Sequence, residues 1–421
     1  MSFSIKSIIQ KSVVRNSIWL FVLQGFNTIL PLLTVPYVTR VLSPEGYGDF
    51  SIALNWAGYM QLIVEYGFAL NAPRKLAIST SLDEEAALYS RVIWARGLLC
   101  ILEIIVVVFG YRLLPLSDVV KKCIVILCIS VIGTVVQHTW FFQGKEDMRF
   151  ITISNVVSRA VSTVLIFVFV KKQTDVFTYC FLYSSHFVVV GFIGLIIAKR
   201  RYHVKIKRCS CKDIFFELKD SFNLFLSASM VRVISAIGVT YLGFVVSSTS
   251  VGIYNALNKF PYLITLAWAP ISQSLYPYMS KSFDVSWKNG VKTLKKLMLP
   301  IMLGFSLMGG FIIIARYPLT KLVFGDQYLL DVDLVIPLII WVIVGILNNF
   351  LGIQVLCASG KSKEYRSSII VCLVMTVSLT FLLGSKYLSF GVAYASLISE
   401  VGLSFVLAMR IRHINRNNEC K

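Results

Sequence analysis

The chain has 421 residues, of which 57% are hydrophobic and only 15% are charged. A soluble globular protein has about a quarter of its residues charged, so this composition excludes that class and indicates a polytopic membrane protein. The net charge of +20 would suggest a nucleic-acid partner in a soluble protein. In a membrane protein it reflects the basic residues of cytoplasmic loops, so no nucleic-acid partner is expected.

Apolar segments long enough to cross a bilayer recur along the whole chain. We predict an all-α fold with about 12 transmembrane helices, near residues 17–39, 47–70, 92–114, 120–142, 151–170, 176–198, 221–246, 253–279, 297–315, 333–357, 366–385 and 388–409. With the N-terminus inside, the inner loops hold about three times as many lysines and arginines as the outer loops. Both termini are therefore predicted to be cytoplasmic. The first apolar run is too long for a signal peptide, so we expect it to be retained.

The first predicted helix is not uniformly apolar, because Gln24, Asn27 and Thr28 lie three and four residues apart on one face. Pro31 and Pro36 each remove a backbone hydrogen bond, which predicts a bend in the outer half of the helix. A bent helix with a polar stripe is suited to the wall of a cavity. The alternative is a lipid-facing helix that tolerates its prolines.

This stretch is repeated in the second half of the chain. With one constant shift and no gap, identical residues coincide, among them Tyr37, Val41, Ser43 and Gly48 with Tyr241, Val245, Ser247 and Gly252. A second similarity pairs QGKEDMR (Gln143 to Arg149) with SGKSKEYR (Ser359 to Arg366). The repeat predicts two pseudo-symmetric six-helix bundles, residues 1–205 and 206–421, with a binding site between them.

Four cations fall inside predicted transmembrane helices: Arg96, Arg159, Arg232 and Lys259. A charge at the bilayer centre costs at least ~2.5 kcal/mol, so these residues need a polar cavity or partners. Arg159 and Arg232 lie about 12 and about 17 Å into their helices, near the midplane, and neither helix contains an acid. We interpret them as ligands for an anionic passenger. Structural ion pairing is the alternative, for instance between Arg96 and Glu103.

Acids, prolines and aromatic residues provide further signals. Glu65 and Glu103 are intramembrane acids that could couple transport to an ion. The prolines of the eighth predicted helix, Pro261 among them, predict a bent or broken helix. The aromatic residues of HTWFFQG (His138 to Gly144) are predicted to lie at a membrane interface.

Recognisable catalytic chemistry is missing from the sequence. Cys209 and Cys211 form an isolated pair without further ligands at matched spacing, so no metal site is predicted. The sequence contains no nucleotide-binding, nucleophile or phosphate-loop motif. We therefore expect no cofactor and no enzymatic activity.

Three motifs point to a known family. The run NSIWLFVLQGFNTILPLLTVPYVTRVLSPEGYG is followed by YGF (Tyr66 to Phe68) and WFFQGKEDMR (Trp140 to Arg149). With these motifs the chain resembles the Wzx O-antigen flippases of the multidrug/oligosaccharidyl-lipid/polysaccharide (MOP) exporter superfamily. The resemblance covers essentially the whole chain and is strongest in its N-terminal part.

The resemblance implies two helix bundles facing each other in a V, with alternating access, in the bacterial inner membrane. The implied substrate is an undecaprenyl-pyrophosphate-linked oligosaccharide for O-antigen or a related surface polysaccharide. It would move from the cytoplasmic to the periplasmic leaflet. Membrane lipids, a polysaccharide polymerase and the chain-length machinery are the implied partners.

Within this interpretation each group of polar residues has a predicted role. Pyrophosphate is expected to bind the buried cations Arg159, Arg232, Arg96 and Lys259. Sugar hydroxyls are expected to bind Gln24, Asn27 and Asn155. Ion coupling is assigned to Glu65 and Glu103. Gating is assigned to the bends at Pro31, Pro36 and Pro261.

Two other functions stay open at this point. A drug or cation antiporter of the related MATE type should have a site rich in acids, whereas these helices hold more bases. A membrane glycan polymerase or ligase would be expected to carry a large outer loop, and the longest one here, residues 316–332, is short.

Overall fold

The computed structural model describes the backbone of residues 2–419, with side chains described for residues 15–16 and 18–416. Every regular element in this part of the chain is a helix. The all-α fold class predicted from composition is therefore confirmed. The chain divides into two compact units, Met1–Arg232 and Val233–Lys421.

The first unit contains seven complete α-helices within the described residues and most of an eighth. They are α1 (Ser2–Glu65), α2 (Phe68–Ile78), α3 (Leu82–Gly110), α4 (Asp118–Val135), α5 (Thr139–Gly144), α6 (Met148–Phe169), α7 (Val176–Tyr202) and α8 (Cys211–Val245). Helix α1 packs against α3, α4 and α6, and α4 packs against α7. Helix α8 continues past Arg232 into the second unit.

Helix α1 is two helices joined at Ser43, whose backbone adopts φ 62° and ψ 170°. The residue before a proline avoids the helical region, and Pro44 is suited to the first position of a new helix. The break lies between the predicted helices 17–39 and 47–70, as the sequence indicates. Pro31 and Pro36 keep helical backbone angles, so the bend predicted at these prolines stays a prediction.

A second interruption lies at Tyr66 and Gly67, inside the predicted helix 47–70. Gly67 has φ 76°, and a Cβ atom there would lie 2.9 Å from both the Phe225 backbone nitrogen and the Leu224 Cβ. Glycine allows both the left-handed backbone and the close approach of α8. The sequence did not predict this break, because the close approach depends on a helix distant in sequence.

The N-terminal part of α8 belongs to the first unit because it is held there by buried charges. Glu217 is fully buried and pairs with Lys75 and with Arg91, the latter at 3.3 Å. The Tyr66 and Phe225 rings stack with centroids 4.4 Å apart. The predicted division at residue 205 stays a prediction about the two helix bundles, since α8 runs continuously through the unit boundary.

The aromatic residues of α5 are core residues. Trp140, Phe141 and Phe142 are at most 2% exposed and pack with Tyr89 in one hydrophobic cluster. Their predicted position at a membrane interface stays a prediction, since burial in the protein does not give their depth in the membrane. The short helix α5 turns these side chains inward, and composition alone does not predict that turn.

The second unit contains six further α-helices and one π-helical segment within the described part of the chain. They are α9 (Ser248–Leu257), α10 (Lys259–Val285), α11 (Trp287–Ile314), α12 (Arg316–Val323), α13 (Val335–Asn349), the π-helix Phe350–Cys357 and α14 (Ser362–Glu419). Helix α14 is broken at Leu388, with φ 50° and ψ −126°. The predicted interruption of the eighth helix falls at Asn258, between α9 and α10.

The repeat seen in the sequence has a counterpart in the backbone. Ser43 is the break in α1, and its partner Ser247 caps α9, accepting a hydrogen bond from the Ser250 nitrogen. The second pair of similar segments also coincides with turns, at Glu146 (φ 52°) and Gly360 (φ 78°).

Nine stretches of the described residues are long and apolar enough to cross a membrane. Two of them, Ile18–Ile78 and Ser362–Arg416, contain the breaks at Ser43 and Leu388. Helix α10 is not among the nine. These findings identify a multi-pass membrane protein.

Candidate functional site

Arg159 on α6 contacts α1 of the same unit. Its Nη1 atom donates a hydrogen bond to the side-chain oxygen of Asn27 at 2.7 Å. Both side chains are half-buried, and among the described residues no carboxylate lies within 4.0 Å of the Arg159 guanidinium. The partner of this intramembrane charge is therefore a neutral amide.

Arg232 on α8 is held by the second half of α1. Its Nη2 atom donates to the Asn55 carbonyl oxygen at 3.0 Å, and the Asn55 side-chain oxygen lies 3.5 Å away. The guanidinium also lies over the Tyr59 ring, 5.2 Å from the centroid. Gly58 makes this position accessible, because a Cβ atom there would lie 2.0 Å from Nη2.

Helix α1 thus binds both arginines, one on each side of its break at Ser43. Asn27 precedes the break, while Asn55 and Tyr59 follow it. A guanidinium has five N–H donors, and the single hydrogen bond that Arg159 makes to a described residue leaves donors for a ligand. An anion with several oxygen atoms, such as a pyrophosphate, suits such a donor set.

The other predicted sugar ligands lie near this region but differ in accessibility. Asn155, one helical turn before Arg159, donates to the Ile151 carbonyl at 2.8 Å and is half-buried. Gln24 is exposed on α1. Ser162 belongs to the packing, since its hydroxyl donates to the Leu182 carbonyl at 2.8 Å.

Arg96 has a different environment from Arg159 and Arg232. It is 3% exposed, and Nη1 donates to the carbonyl oxygens of Thr134 at 3.4 Å and Gln137 at 3.1 Å. These carbonyls lie at the C-terminal end of α4, where a cation is favoured by the helix dipole. The geometry therefore resembles a helix cap.

The two predicted coupling acids also differ. Glu65, at the end of α1, is the acid whose charge acts on Arg96. Both carboxyl oxygens of Glu103 on α3 are buried and accept no hydrogen bond from the described residues. The Glu103 carboxyl is close enough to the thiols of Cys100 and Cys128 to interact with them electrostatically. The ion pair between Arg96 and Glu103, which the sequence suggested as an alternative, is therefore not formed among the described residues.

The remaining predicted site residues lie in the second unit. Lys259 is the first residue of α10 and is half-buried. Pro261 is buried in the first turn of the same helix. Their assigned roles in binding and gating stay predictions.

Sequence reasoning missed the partners of Arg232. Asn55 and Tyr59 are four residues apart with Gly58 between them, a spacing that places both side chains on one helix face. That signal was available in the sequence. The pairing with Arg232 was not, since it joins residues far apart in the chain.

Polar residues of the second unit bond to one another in two groups. Asn348 donates to the Glu400 carboxyl at 2.9 Å and accepts from the Ser404 hydroxyl at 2.6 Å. In the other group, Ser272 donates to the Asn349 side-chain oxygen at 2.8 Å, and Gln354 donates to Ser272. These groups connect α10, α13, the π-helix and α14.

Comparison with solved structures identifies the fold. The lipid II flippase MurJ in an inward closed conformation has a TM-score of 0.75 at 16% identity, covering 95% of this chain and 87% of that chain. An inward-facing multidrug resistance MATE family transporter of the MOP superfamily has a TM-score of 0.69 at 12% identity, covering 94% of this chain and 99% of that one. The predicted MOP-type fold is thus confirmed.

Comparison with sequences identifies the family. Residues 13–283 match the family described as polysaccharide biosynthesis protein. Two relatives have names that assign them to O-antigen transport. One, from Escherichia coli (strain K12), is 30% identical over 411 residues, which is 96% of this chain and 97% of the relative. The other, from Shigella dysenteriae, is 23% identical over 92% of this chain and 97% of the relative. The chain therefore belongs to the polysaccharide biosynthesis protein family, which confirms the predicted resemblance to the Wzx O-antigen group.

Proposed function

We propose that this protein is a flippase for a lipid-linked oligosaccharide. The lipid is undecaprenyl pyrophosphate, and the sugar is the repeat unit of O-antigen or a related surface polysaccharide. Transport runs from the cytoplasmic to the periplasmic leaflet of the bacterial inner membrane by alternating access. Both termini of the protein face the cytoplasm. The name of the Escherichia coli relative and the MurJ-like fold support the substrate class.

The observation that carries this proposal is the pair of arginines bound by α1. Arg159 is bound by the neutral amide of Asn27, and the hydrogen bonds from Arg232 to Asn55 end on neutral oxygens. A pyrophosphate crossing the membrane needs positive charge and donors at that depth, which guanidinium groups supply in bidentate geometry. Arg159 and Arg232 are the proposed pyrophosphate ligands.

The other residues have subsidiary roles in this proposal. Asn27 both positions Arg159 and, with Gln24 and Asn155, offers hydrogen bonds to sugar hydroxyls. Arg96 supports the end of α4 because its donors meet backbone carbonyls there.

Glu103 is the stronger candidate for proton coupling. Its carboxyl group is buried without donors, which disfavours the ionised form and suits a group that binds a proton in one state. If transport by the Glu103→Gln and Glu65→Gln variants kept the wild-type dependence on pH and sodium, neither acid would be a coupling site.

The test of the function is reconstitution of the full chain in liposomes. A fluorescent undecaprenyl-pyrophosphate-linked oligosaccharide is placed in the inner leaflet, and its exposure outside is followed with an impermeant quencher. We expect exposure to depend on the protein. Protein-dependent efflux of organic cations without movement of the lipid would instead support the MATE-type alternative.

A further inference from the structure

Helix α10 has a face that matches neither the lipid nor the core of its unit. It is 27 residues long, enough to cross a bilayer, yet it is absent from the nine described stretches that are also apolar enough. It packs against α11 and α13, which are both within such stretches. Helix α10 therefore lies at membrane depth with a composition unsuited to lipid.

The buried side of α10 explains how the helix is held. Trp268 packs against Phe305 of α11 and Phe350 of the π-helix, with ring centroids 5.7 and 5.0 Å away. Ser272 donates to Asn349. This packing fixes the rotation of α10 about its axis and determines which residues remain exposed.

Beside this packed side, the helix carries a stripe of aromatic and polar residues. Tyr262, Gln273 and Tyr276 are exposed, with Tyr262 and Tyr276 at 49% and 40%, and they share a face at helical spacing. Ala269, whose side chain is small, lies between them on that face. The two hydroxyls and the Gln273 amide make no hydrogen bond to another described residue. We call this set the tyrosine stripe.

Hydrocarbon is a poor neighbour for the tyrosine stripe, since unpaired hydroxyl and amide groups there would lose their hydrogen bonds to water. A sugar ring is a good one, because it offers a C–H face to an aromatic ring and hydroxyls to the phenol and amide groups. From Tyr262 to Tyr276 the stripe extends about 21 Å, enough for several sugar rings in succession.

We propose that the tyrosine stripe of α10 binds the sugar chain of the substrate during transport. This inference rests on the proposed flippase function and adds a binding surface in the second unit. Tyr262 and Tyr276 stack against pyranose rings, and Gln273 bonds sugar hydroxyls. The stripe thereby makes the transport rate depend on the number of sugars that the substrate carries.

The experiment compares two substrates with the same lipid and pyrophosphate, one carrying the full oligosaccharide and one carrying a single sugar. Flipping is measured in liposomes for Tyr262→Ala, Gln273→Ala and Tyr276→Ala. We expect the two tyrosine variants to slow the oligosaccharide about tenfold relative to the single-sugar lipid. Tyr276→Phe keeps the ring and should lose less.

Tyr278→Ala is the matched control. Tyr278 is 56% exposed but lies on another face of the same helix, so its variant should move both substrates at the wild-type rate. Equal rates of the two substrates in the tyrosine variants would overturn the glycan-binding role while leaving the flippase function intact. Failure of the wild-type protein to move either substrate would overturn the proposed function, and this inference with it.

Discussion

The two units repeat one helical plan but place different chemistry on it. Both begin with a helix pair interrupted at corresponding serines, Ser43 and Ser247. In the first unit Arg159 is bound by a neutral amide and keeps donors for a ligand. In the second unit the Glu400 carboxyl accepts from Asn348, which in turn accepts from Ser404.

Corresponding positions show how this difference arises. Counting on from the paired Arg149 and Arg366, Arg159 corresponds to Thr376, which is buried and donates to the Cys372 carbonyl at 2.8 Å. The same place on the repeat thus holds a charged, ligand-accessible side chain in one unit and a packed hydroxyl in the other. The proposed anion site therefore belongs to the first unit alone, and the proposed glycan surface belongs to the second.

Charge reversal in the first unit is the largest expected effect. Arg159→Glu or Arg232→Glu should lower the flipping rate at least about 100-fold, since a carboxylate repels the pyrophosphate and removes its donors. Arg→Lys at either position should lose about tenfold, because charge persists without the bidentate geometry. Liposome flipping assays measure both. A charge-reversed protein with wild-type rate would assign the arginines to packing.

A substitution at Asn27 tests whether transport requires Arg159 to have a neutral partner, and its expected effect is smaller. Asn27→Asp places a carboxylate beside the Arg159 guanidinium and should lower the flipping rate about tenfold by neutralising it. Asn27→Ala removes the hydrogen bond without adding charge and is the matched control, with a smaller loss expected. A faster or equal rate for Asn27→Asp would mean that the free charge of Arg159 has no role in transport.

Substitutions in the polar network of the second unit should change the stability of the protein and not its flipping rate. Asn348→Ala removes a donor to the Glu400 carboxyl and should lower the free energy of unfolding by ~2 kcal/mol. The flipping rate per folded molecule should stay at the wild-type value. Thermal unfolding and flipping measured on the same preparation separate the two quantities. A slowed rate with unchanged unfolding would move this network into the transport machinery.

The smallest effect concerns the segment that joins α7 to α8. Burial raises the pKa of the Cys209 thiol, and Asp213 adds to the shift. A raised pKa leaves the thiol protonated at neutral pH, so labelling by an impermeant maleimide should be slow and should accelerate as the pH rises. Cys211→Ser isolates this signal, with Cys420, which lies outside the described residues, also replaced by serine.

Labelling should occur from the cytoplasmic side alone. Reaction of Cys209 in cells whose outer membrane alone has been opened would contradict the proposed orientation.

Features that depend on residues close together in the sequence were predictable, and features that depend on distant residues were not. Composition and the lengths of the apolar segments predicted the all-α membrane fold and a boundary between residues 39 and 47, where the break at Ser43 lies, because these signals are local. The break at Gly67 and the burial of Trp140 depend on packing against distant segments, so the sequence did not predict them.

The candidate site shows the same limit. Arg159, Asn27 and Arg232 stand out in the sequence because polar residues in apolar helices are conspicuous. Their pairing does not, since Asn27 lies 132 residues from Arg159 and Asn55 lies 177 residues from Arg232 in the chain. The cap formed by Arg96 on α4 is equally invisible in sequence, because its partners are backbone carbonyls.

The central claim is that Arg159 and Arg232 together bind the pyrophosphate. Its most direct test is the flipping rate per folded molecule of Arg159→Ala and Arg232→Ala. Arg316→Ala is the control, since it removes an ion pair with Asp333 that is expected to contribute little. We predict a loss of at least about 100-fold for each of the two site variants and a wild-type rate for the control. Wild-type rates per folded molecule in both Arg159→Ala and Arg232→Ala would contradict the claim.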